Sequence, residues 1–366
     1  MDWSFTEEQE QVAGLTRQIL ERELTEERMR VADKNDRYDH ALFAMLGEAG
    51  VLGVALPEEH GGGGLGLIEA CRVLQEIGRA VAPVPALPAM IGAMALAQFG
   101  SPELRERWLP PASTGSQIVV PALVEDLNLD PSAPTTRAVA GPDGPLLVGA
   151  KTTVGGGTVA DVFLVPAQTD DGVRVFVVER EATGVTVERQ TVTSTDAEAL
   201  ITLQDARVAG VLDAGEDVVA WIVRHMTVGM CALQLGVCER ALELTAEYSK
   251  TRVQFDRPIA TFQAVGQRLA DAYIDVNAIR LTTWQAAWRL SEGLPCATEI
   301  ATAKFWAADA GHRVAHTAVH VHGGMGIDLD YHLNRYFVAA KRIEFALGGA
   351  TEQLVALGRE LANEPA

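Results

Sequence analysis

Apolar positions recur every three or four residues from the N-terminus to about Ala112, and that spacing predicts helices. Thr6 and Gln9 make a capping-box pattern, after which Val12, Leu15, Ile19 and Leu20 fall on one face. A second amphipathic helix is expected over about 39–49. The stretch "PEEHGGGGLG" then breaks the pattern, and helix resumes in "LIEACRVLQEIGRAVA". From Ser116 to about Leu212 the period changes. Short β-branched runs such as "QIVVPALV", "VFLVPA", "VRVFVVER" and "ALITLQDARV" alternate with Gly, Pro and Asp turns, the signature of strands. Beyond Val218 the helical period returns and predicts long helices over 218–250, 264–291, 296–320 and 350–362. On the first of these, Leu235, Cys238, Ala241 and Leu242 suit the buried side, and Glu243, Thr245 and Tyr248 the solvent side. The expected class is α+β: a helical domain at 1–115, a β-barrel or sandwich domain at 116–212, and a four-helix bundle at 213–366.

Composition narrows the function classes. Lys and Arg number 30 against 49 Asp and Glu, a formal charge of −19. A chain this acidic is not built to hold a nucleic-acid backbone, and no Lys/Arg cluster suggests an anionic membrane. No basic stretch with a short apolar core opens the chain, and no unbroken run reaches the length of a membrane span. Cys71, Cys231, Cys238 and Cys296 show no CxxC spacing and read as reduced core residues of a cytoplasmic protein.

Few stretches offer chemistry. The run Gly61–Gly64 lacks the GK[ST] ending of a phosphate loop, and no strand feeds it; a turn between helices is expected. His312, His316 and His320 share a helix face, but no carboxylate or thiolate joins them at that spacing, so no metal site is expected. No GxSxG or HExxH appears. "HGGMG", from His322, fits either a glycine C-cap or a turn where backbone approaches a phosphate or sugar. "TRVQFDRPIATFQ", from Thr251, fits either a packed turn or a site for a flat, phosphate-bearing ligand.

Taken together, these pieces resemble the acyl-CoA dehydrogenase family across essentially the whole chain. "LGEAGVLGVALPEEHGGGGLGLIEA" is similar to its "G-x-x-G-x-x-x-PEE-x-GG" segment. "TRVQFDRPIATFQAV" is similar to its "R-x-x-F-x-x-x-(I/L)-x-x-x-Q" motif, and "AVHVHGGMGI" to its "Q-x-x-GG-x-G" motif, with His320 at the usual glutamine. The resemblance implies FAD as cofactor, an acyl-CoA thioester as substrate, a 2,3-enoyl-CoA as product and an electron-transfer flavoprotein-type acceptor. It also implies that two subunits build each FAD site. Arg252, Phe255, Ile259, Phe262, Gln263, His320, Gly323 and Gly324 would then serve the ADP half of a neighbour's FAD. Arg252 would supply planar donors to the pyrophosphate, Phe255 a flat apolar surface and Gln263 an amide.

Two parts of the family pattern are missing. "VEDLNLDPS" stands where the family has "TEPxxGSD", with only Glu125 kept of the first triplet. Thr153 and Gly155 stand at the Trp-x-Thr that covers the flavin ring. "RIEFALGGATEQL" resembles the segment that carries the catalytic glutamate, but that position is Gly348. Some members place the base on the first long C-terminal helix. The matching position is near Met226, so the adjacent His225 is a weak candidate, about 100° round the helix. Glu344 and Glu352 flank the glycines at four residues and are expected to be too far to replace the base. The expectation is therefore a subunit without a catalytic residue of its own. It would pair with a homologous subunit in an α2β2 assembly like those of actinobacterial steroid side-chain degradation, with the C-terminal bundle as the main interface. A self-sufficient homotetramer with an unusual base, and a non-catalytic acyl-CoA-binding scaffold, are the alternatives.

Overall fold

The computed structural model describes residues 4–128, 130–212 and 217–363. In chain order it contains helices α1 (Glu7–Glu23), α2 (Glu26–Asp33), α3 (His40–Glu48), α4 (Leu67–Ala80), α5 (Ala86–Phe99) and α6 (Pro102–Ser113). Eight strands follow: β1 (Val119–Pro121), β2 (Arg137–Gly141), β3 (Gly144–Gly155), β4 (Val162–Thr169), β5 (Gly172–Glu179), β6 (Val185–Arg189), β7 (Glu198–Arg207) and β8 (Gly210–Leu212). The long helix α7 (Val218–Thr251) leads into a small hairpin, β9 (Val253–Gln254) and β10 (Arg257–Pro258). Then come α8 (Gln263–Ser291), α9 (Ala297–His322), α10 (Leu333–Phe345) and α11 (Ala350–Asn363). The order is helical, β, helical, as the periodicity predicts. Residues 213–216, at the start of the expected C-terminal domain, and Leu129, within the loop compared with "TEPxxGSD", lie outside the described residues.

Packing groups the chain into two compact units. One holds the described residues of Met1–Glu26, Cys71–Ala82 and Thr227–Ala366; the other holds Glu27–Ala70 and Pro83–Met226.

In the first unit α1 starts with the capping box read from the sequence. Thr6 Oγ1 accepts from the Gln9 amide at 3.2 Å, and Gln9 Oε1 accepts from the Thr6 amide at 3.0 Å. Helices α4 and α7 cross at glycines. A Cβ on Gly78 would lie 2.2 Å from the Leu233 carbonyl oxygen, and one on Gly236 only 1.9 Å from that of Gln75, so no larger residue fits either place. Charged groups tie the crossing. Arg79 donates to Glu239 and Glu243 at 3.1 and 2.9 Å, and Arg280 donates to Glu239 at 2.9 Å. By length and composition α7 could cross a membrane, although no unbroken apolar run announces it. However, 67 % of that stretch is buried within the protein, as in a core helix.

Some helix faces differ from expectation. Thr245 is buried rather than solvated, and Leu15 is exposed while Thr16 takes the inner position. In both threonines the hydroxyl donates to a carbonyl one turn back, Thr245 to Ala241 at 2.6 Å and Thr16 to Val12 at 2.8 Å. That bond removes the penalty of burying the hydroxyl. Among the described residues five C-terminal helices form rather than four: α10 is the addition, with Leu333, Tyr336, Ala340 and Ile343 buried at helical spacing.

The second unit is built on one eight-stranded sheet. Its order is β6-β7-β3-β2-β4-β5-β8, with β1 pairing parallel to β4. The two halves meet through a single register pair between β2 and β4, Arg137 with Gln168. Strands β4 and β5 are buried through Val162–Ala167 and Val175–Val178. That explains why their sequences read as continuous apolar runs instead of alternating ones.

Candidate functional site

The chain leaves α7 at Thr251 and turns through the β9–β10 hairpin. Phe255 and Asp256 form its tip with φ of 52° and 62°. Left-handed backbone is unfavourable for a phenylalanine. The ring is also 87 % exposed, so the tip carries a solvation cost besides a conformational one. The hairpin is pinned at its base: the Ile259 amide donates to the Arg252 carbonyl, and the Arg252 amide to that of Tyr248, both at 2.8 Å. Beneath the tip, Phe262 meets Phe255 edge-on at 6.2 Å, and Arg257 lies over the Phe262 ring at 4.2 Å. Ile259 and Phe262 are half-buried supports, whereas Arg252 and Gln263 are exposed. Arg252 makes no ion pair among the described residues.

The glycine turn lies at the end of α9. Gly323 takes φ of 62°, and its amide donates to the His320 carbonyl. Nothing lies within 4 Å of a Cβ built on Gly323 or on Gly324, so the backbone there is open to approach. Gly326 differs: a Cβ would come within 2.8 Å of the Val319 Cα, so this glycine serves packing. His320 is exposed. The hairpin and the turn meet through a contact the motifs do not contain. Tyr248, one turn before Arg252, stacks on His322, next to Gly323, at 4.1 Å. Arg252, Phe255, Gln263, His320, Gly323 and Gly324 therefore gather at the joined ends of α7 and α9. Exposed donors, an exposed ring and open backbone fit the phosphate-bearing half of a flavin dinucleotide.

The other glycine run is different. The Gly62, Gly63 and Gly64 amides donate to the carbonyls of Pro57, Gly53 and Leu56 at 2.9–3.0 Å. These donors are used within the turn and are not offered to a phosphate.

Gly348 sits between α10 and α11 with φ of 89°. Gln353 Nε2 donates to the Leu347 carbonyl at 3.0 Å, and lies 2.9 Å from where a Gly348 Cβ would be. Of the flanking carboxylates, Glu344 is engaged by Lys341 at 2.6 Å and by His312 at 3.2 Å. The buried Lys304 ammonium donates to the Ile343 and Glu344 carbonyls, closing the last turn of α10. Glu352 comes nearer than its sequence distance suggests. It lies in the first turn of α11, and its side chain folds back so that Oε2 is 3.3 Å from a Cβ position on Gly349. A spacing of three or four residues becomes one helical turn once α11 begins at Ala350.

His225 is 7 % exposed. Its ring stacks on Trp221 at 3.6 Å, and its Nδ1 lies 2.8 Å from the Trp221 carbonyl. Burial pushes its pKa down to about 4, which makes it a poor proton acceptor near neutral pH.

In the β-unit, Glu125 is 3 % exposed and accepts five hydrogen bonds. The amides and hydroxyls of Thr135 and Thr136 supply four, at 2.5–2.9 Å, and Lys151 Nζ supplies the fifth at 2.6 Å. Burial alone would raise the carboxyl, but the bonds from Lys151, Thr135 and Thr136 outweigh it and hold the pKa at about 2. Burial also lowers the Lys151 ammonium against the pull of Glu125. With five donors on the carboxylate, the pair stands as ions. Glu125 is thus used in holding the loop to β3. Thr153, at the expected tryptophan position, takes φ of 48° and donates its amide to Gln190 Oε1 at 2.6 Å. No tryptophan occurs between residues 116 and 212.

The Glu125 pKa has a consequence in acid. A carboxyl at about 2 in the folded chain and near 4.5 unfolded adds stability above pH 4.5, which is lost as pH falls toward 2. The loss is on the order of 3 kcal/mol. Urea titrations between pH 6 and pH 3 are expected to give a steep fall for the native chain and a shallower one for Glu125→Gln.

Residues 6–116 match the family described as acyl-CoA dehydrogenase, N-terminal domain, and residues 213–361 match acyl-CoA dehydrogenase, C-terminal domain. The chain is 47 % identical over 377 residues to acyl-CoA dehydrogenase FadE27 of Mycobacterium tuberculosis, covering all of both chains. Among solved structures it superposes on a chain of the ChsE4-ChsE5 complex from Mycobacterium tuberculosis with a TM-score of 0.95, at 47 % identity and full coverage of both chains. It also superposes on a chain of the Tcur3481-Tcur3483 steroid ACAD, as a variant, with a TM-score of 0.92 at 40 % identity, covering 97 % of this chain and 98 % of that one. With matched domains over more than half its length and relatives spanning all of it, the chain belongs to the acyl-CoA dehydrogenase family, whose cofactor is FAD.

Proposed function

We propose that this chain is the subunit of a heteromeric acyl-CoA dehydrogenase that clasps a partner's FAD and has no base of its own. The observation that carries this reading is the β9–β10 hairpin. It holds Phe255 in left-handed backbone, almost wholly in solvent, beside an exposed Arg252. A tip that is strained and apolar is maintained for something outside the chain. FAD supplies the hydride acceptor of the α,β-dehydrogenation. Arg252 would bind the pyrophosphate through charge-assisted bonds, Phe255 would exclude water from an apolar face, and Gly323 and Gly324 would let backbone come close.

Gly348 at the usual glutamate position, the inert His225 and the committed Glu125–Lys151 pair support the absence of an active site in this chain. The partner would bring the base, the flavin pocket and the acyl-CoA groove. The names of the relatives add to this. One solved relative is a ChsE4-ChsE5 complex and another a steroid ACAD made of two named components, which favours two unlike homologous chains, as α2β2, and a sterol-derived thioester as substrate. An electron-transfer flavoprotein-type acceptor would reoxidise the flavin, and the four buried cysteines, none of them in a disulfide, suit a cytoplasmic setting.

Expression tests this. The chain alone is expected to be colourless or insoluble. Co-expressed with a homologous partner it is expected to give a yellow complex that reduces a dye with acyl-CoA. A yellow, active protein from this chain alone contradicts the proposal, and a colourless protein under every pairing points to a scaffold. The position of Glu352 favours a second reading, a self-sufficient enzyme in which the α11 carboxylate reaches over Gly349 to act as base.

A further inference from the structure

Helix α8 is apolar on two sides. One side is core: Ala272, Val276, Ile279, Ala286 and Ala287 are buried. The other side faces solvent and is apolar as well. Tyr273, Ile274 and Leu281 are 63, 63 and 62 % exposed, and Trp288 is 36 % exposed. Ala270, Ile274, Ala278, Leu281, Gln285 and Trp288 follow one another in steps of three and four, so they form a seam along the helix. A helix apolar all round is normally covered all round. The alanines leave room for a second helix to come close. The seam carries no charge. The two charged residues between Ala272 and Trp288 are used inside the chain: Asp275 is buried and accepts from Arg313 at 2.7 Å, and Arg280 donates to Glu239 at 2.9 Å.

That lack of charge restricts the occupant. Across a two-fold axis every group near the axis meets its own copy, so a charge there faces a like charge, whereas apolar and amide side chains tolerate the meeting. A surface for an unlike chain has no such limit, and the hairpin shows the contrast with exposed Arg252, Asp256 and Arg257. The spacing fits a symmetric pair too. Ile274 and Trp288 stand one heptad before and one heptad after Leu281. In an antiparallel pair centred on Leu281, Ile274 faces Trp288 of the second copy, and the exposed Arg268 end lies by the exposed Glu292 end. Resting on the reading that the enzyme is built of two unlike homologous chains, we propose that the outer face of α8 docks on α8 of a second copy of this chain. The α2β2 enzyme is then two heterodimers joined through this subunit: the hairpin serves the unlike chain, and α8 the like one.

The test uses the co-expressed complex, weighed by native mass spectrometry. Leu281→Glu puts like charges on the axis, and because the side chain is exposed the fold is expected to survive. The complex is expected to fall from four chains to two, with flavin per heterodimer and dye reduction retained. Leu281→Lys is expected to do the same. Mixing the Leu281→Glu complex with the Leu281→Lys complex is expected to restore four chains, since only a contact between like subunits sets residue 281 of one against residue 281 of the other. A native complex of two chains, a Leu281→Glu complex that keeps four, or a mixture that stays at two overturns the proposal. Breakdown of Leu281→Glu into single chains with loss of flavin assigns the face to the unlike chain and overturns it as well. The layers stay separable. If the native enzyme holds this chain alone and the mixture still restores four chains, the heteromeric reading falls while the α8 contact stands.

Discussion

Lys151→Met is expected to cost the chain about 3–5 kcal/mol of stability, the usual penalty for leaving one ion of a buried pair alone. Lys151 is fully buried and its ammonium touches a carboxylate that is itself 3 % exposed. Once it is removed, four donors from Thr135 and Thr136 still hold the Glu125 charge, but nothing neutralises it. The double variant Glu125→Leu with Lys151→Met removes both charges and is expected to regain much of the loss. Urea unfolding of the two variants checks this, and the double variant keeps the comparison interpretable if the single one does not fold. A single variant within 1 kcal/mol of the native chain would mean that the pair does not hold the loop to β3. Because the pair serves this chain's fold, flavin content of the assembled enzyme is expected to follow folding alone.

Arg252→Ala is expected to weaken FAD retention in the assembled enzyme by roughly ten- to a hundredfold, or about 1.5–3 kcal/mol for lost bonds to a charged phosphate. Stability of the chain should hardly move, since Arg252 is exposed and makes no ion pair among the described residues. Phe255→Gly separates function from stability more sharply. Glycine accepts a φ of 52° without strain, so the variant is expected to be at least as stable as the native chain, while losing FAD through the missing ring. Flavin absorbance after gel filtration, set beside thermal melts, measures both. Unchanged flavin content in the two variants contradicts a clasp at this hairpin.

The sequence revealed these features unevenly, for physical reasons. The start of α1 was visible because a capping box is local: Thr6 and Gln9 decide it between themselves. The ends of α7, α8 and α9 fell within two residues of expectation because their apolar stripes are long. Helix α10 is hard to read from the sequence because Arg335, Lys341 and Arg342 interrupt a short stripe, although Leu333, Tyr336, Ala340 and Ile343 keep the period. Thr16 and Thr245 look polar in a sequence and are apolar in effect, once the hydroxyl is bonded one turn back. Resemblance alone points to the candidate site residues, and no local pattern joins the hairpin to the glycine turn. The Tyr248–His322 stack does that, between residues far apart in the chain. The reach of Glu352 was hidden for a related reason: a distance along the chain says little until the start of α11 is fixed.

The central claim is that this chain completes another subunit's flavin site and performs no chemistry itself. Counting flavin per chain in the purified, active complex tests it most directly. One FAD for each pair of unlike chains, with turnover kept in Glu352→Gln and His225→Ala of this chain, is the result expected. One FAD per chain, or turnover lost in either variant while flavin content stays intact, would contradict it.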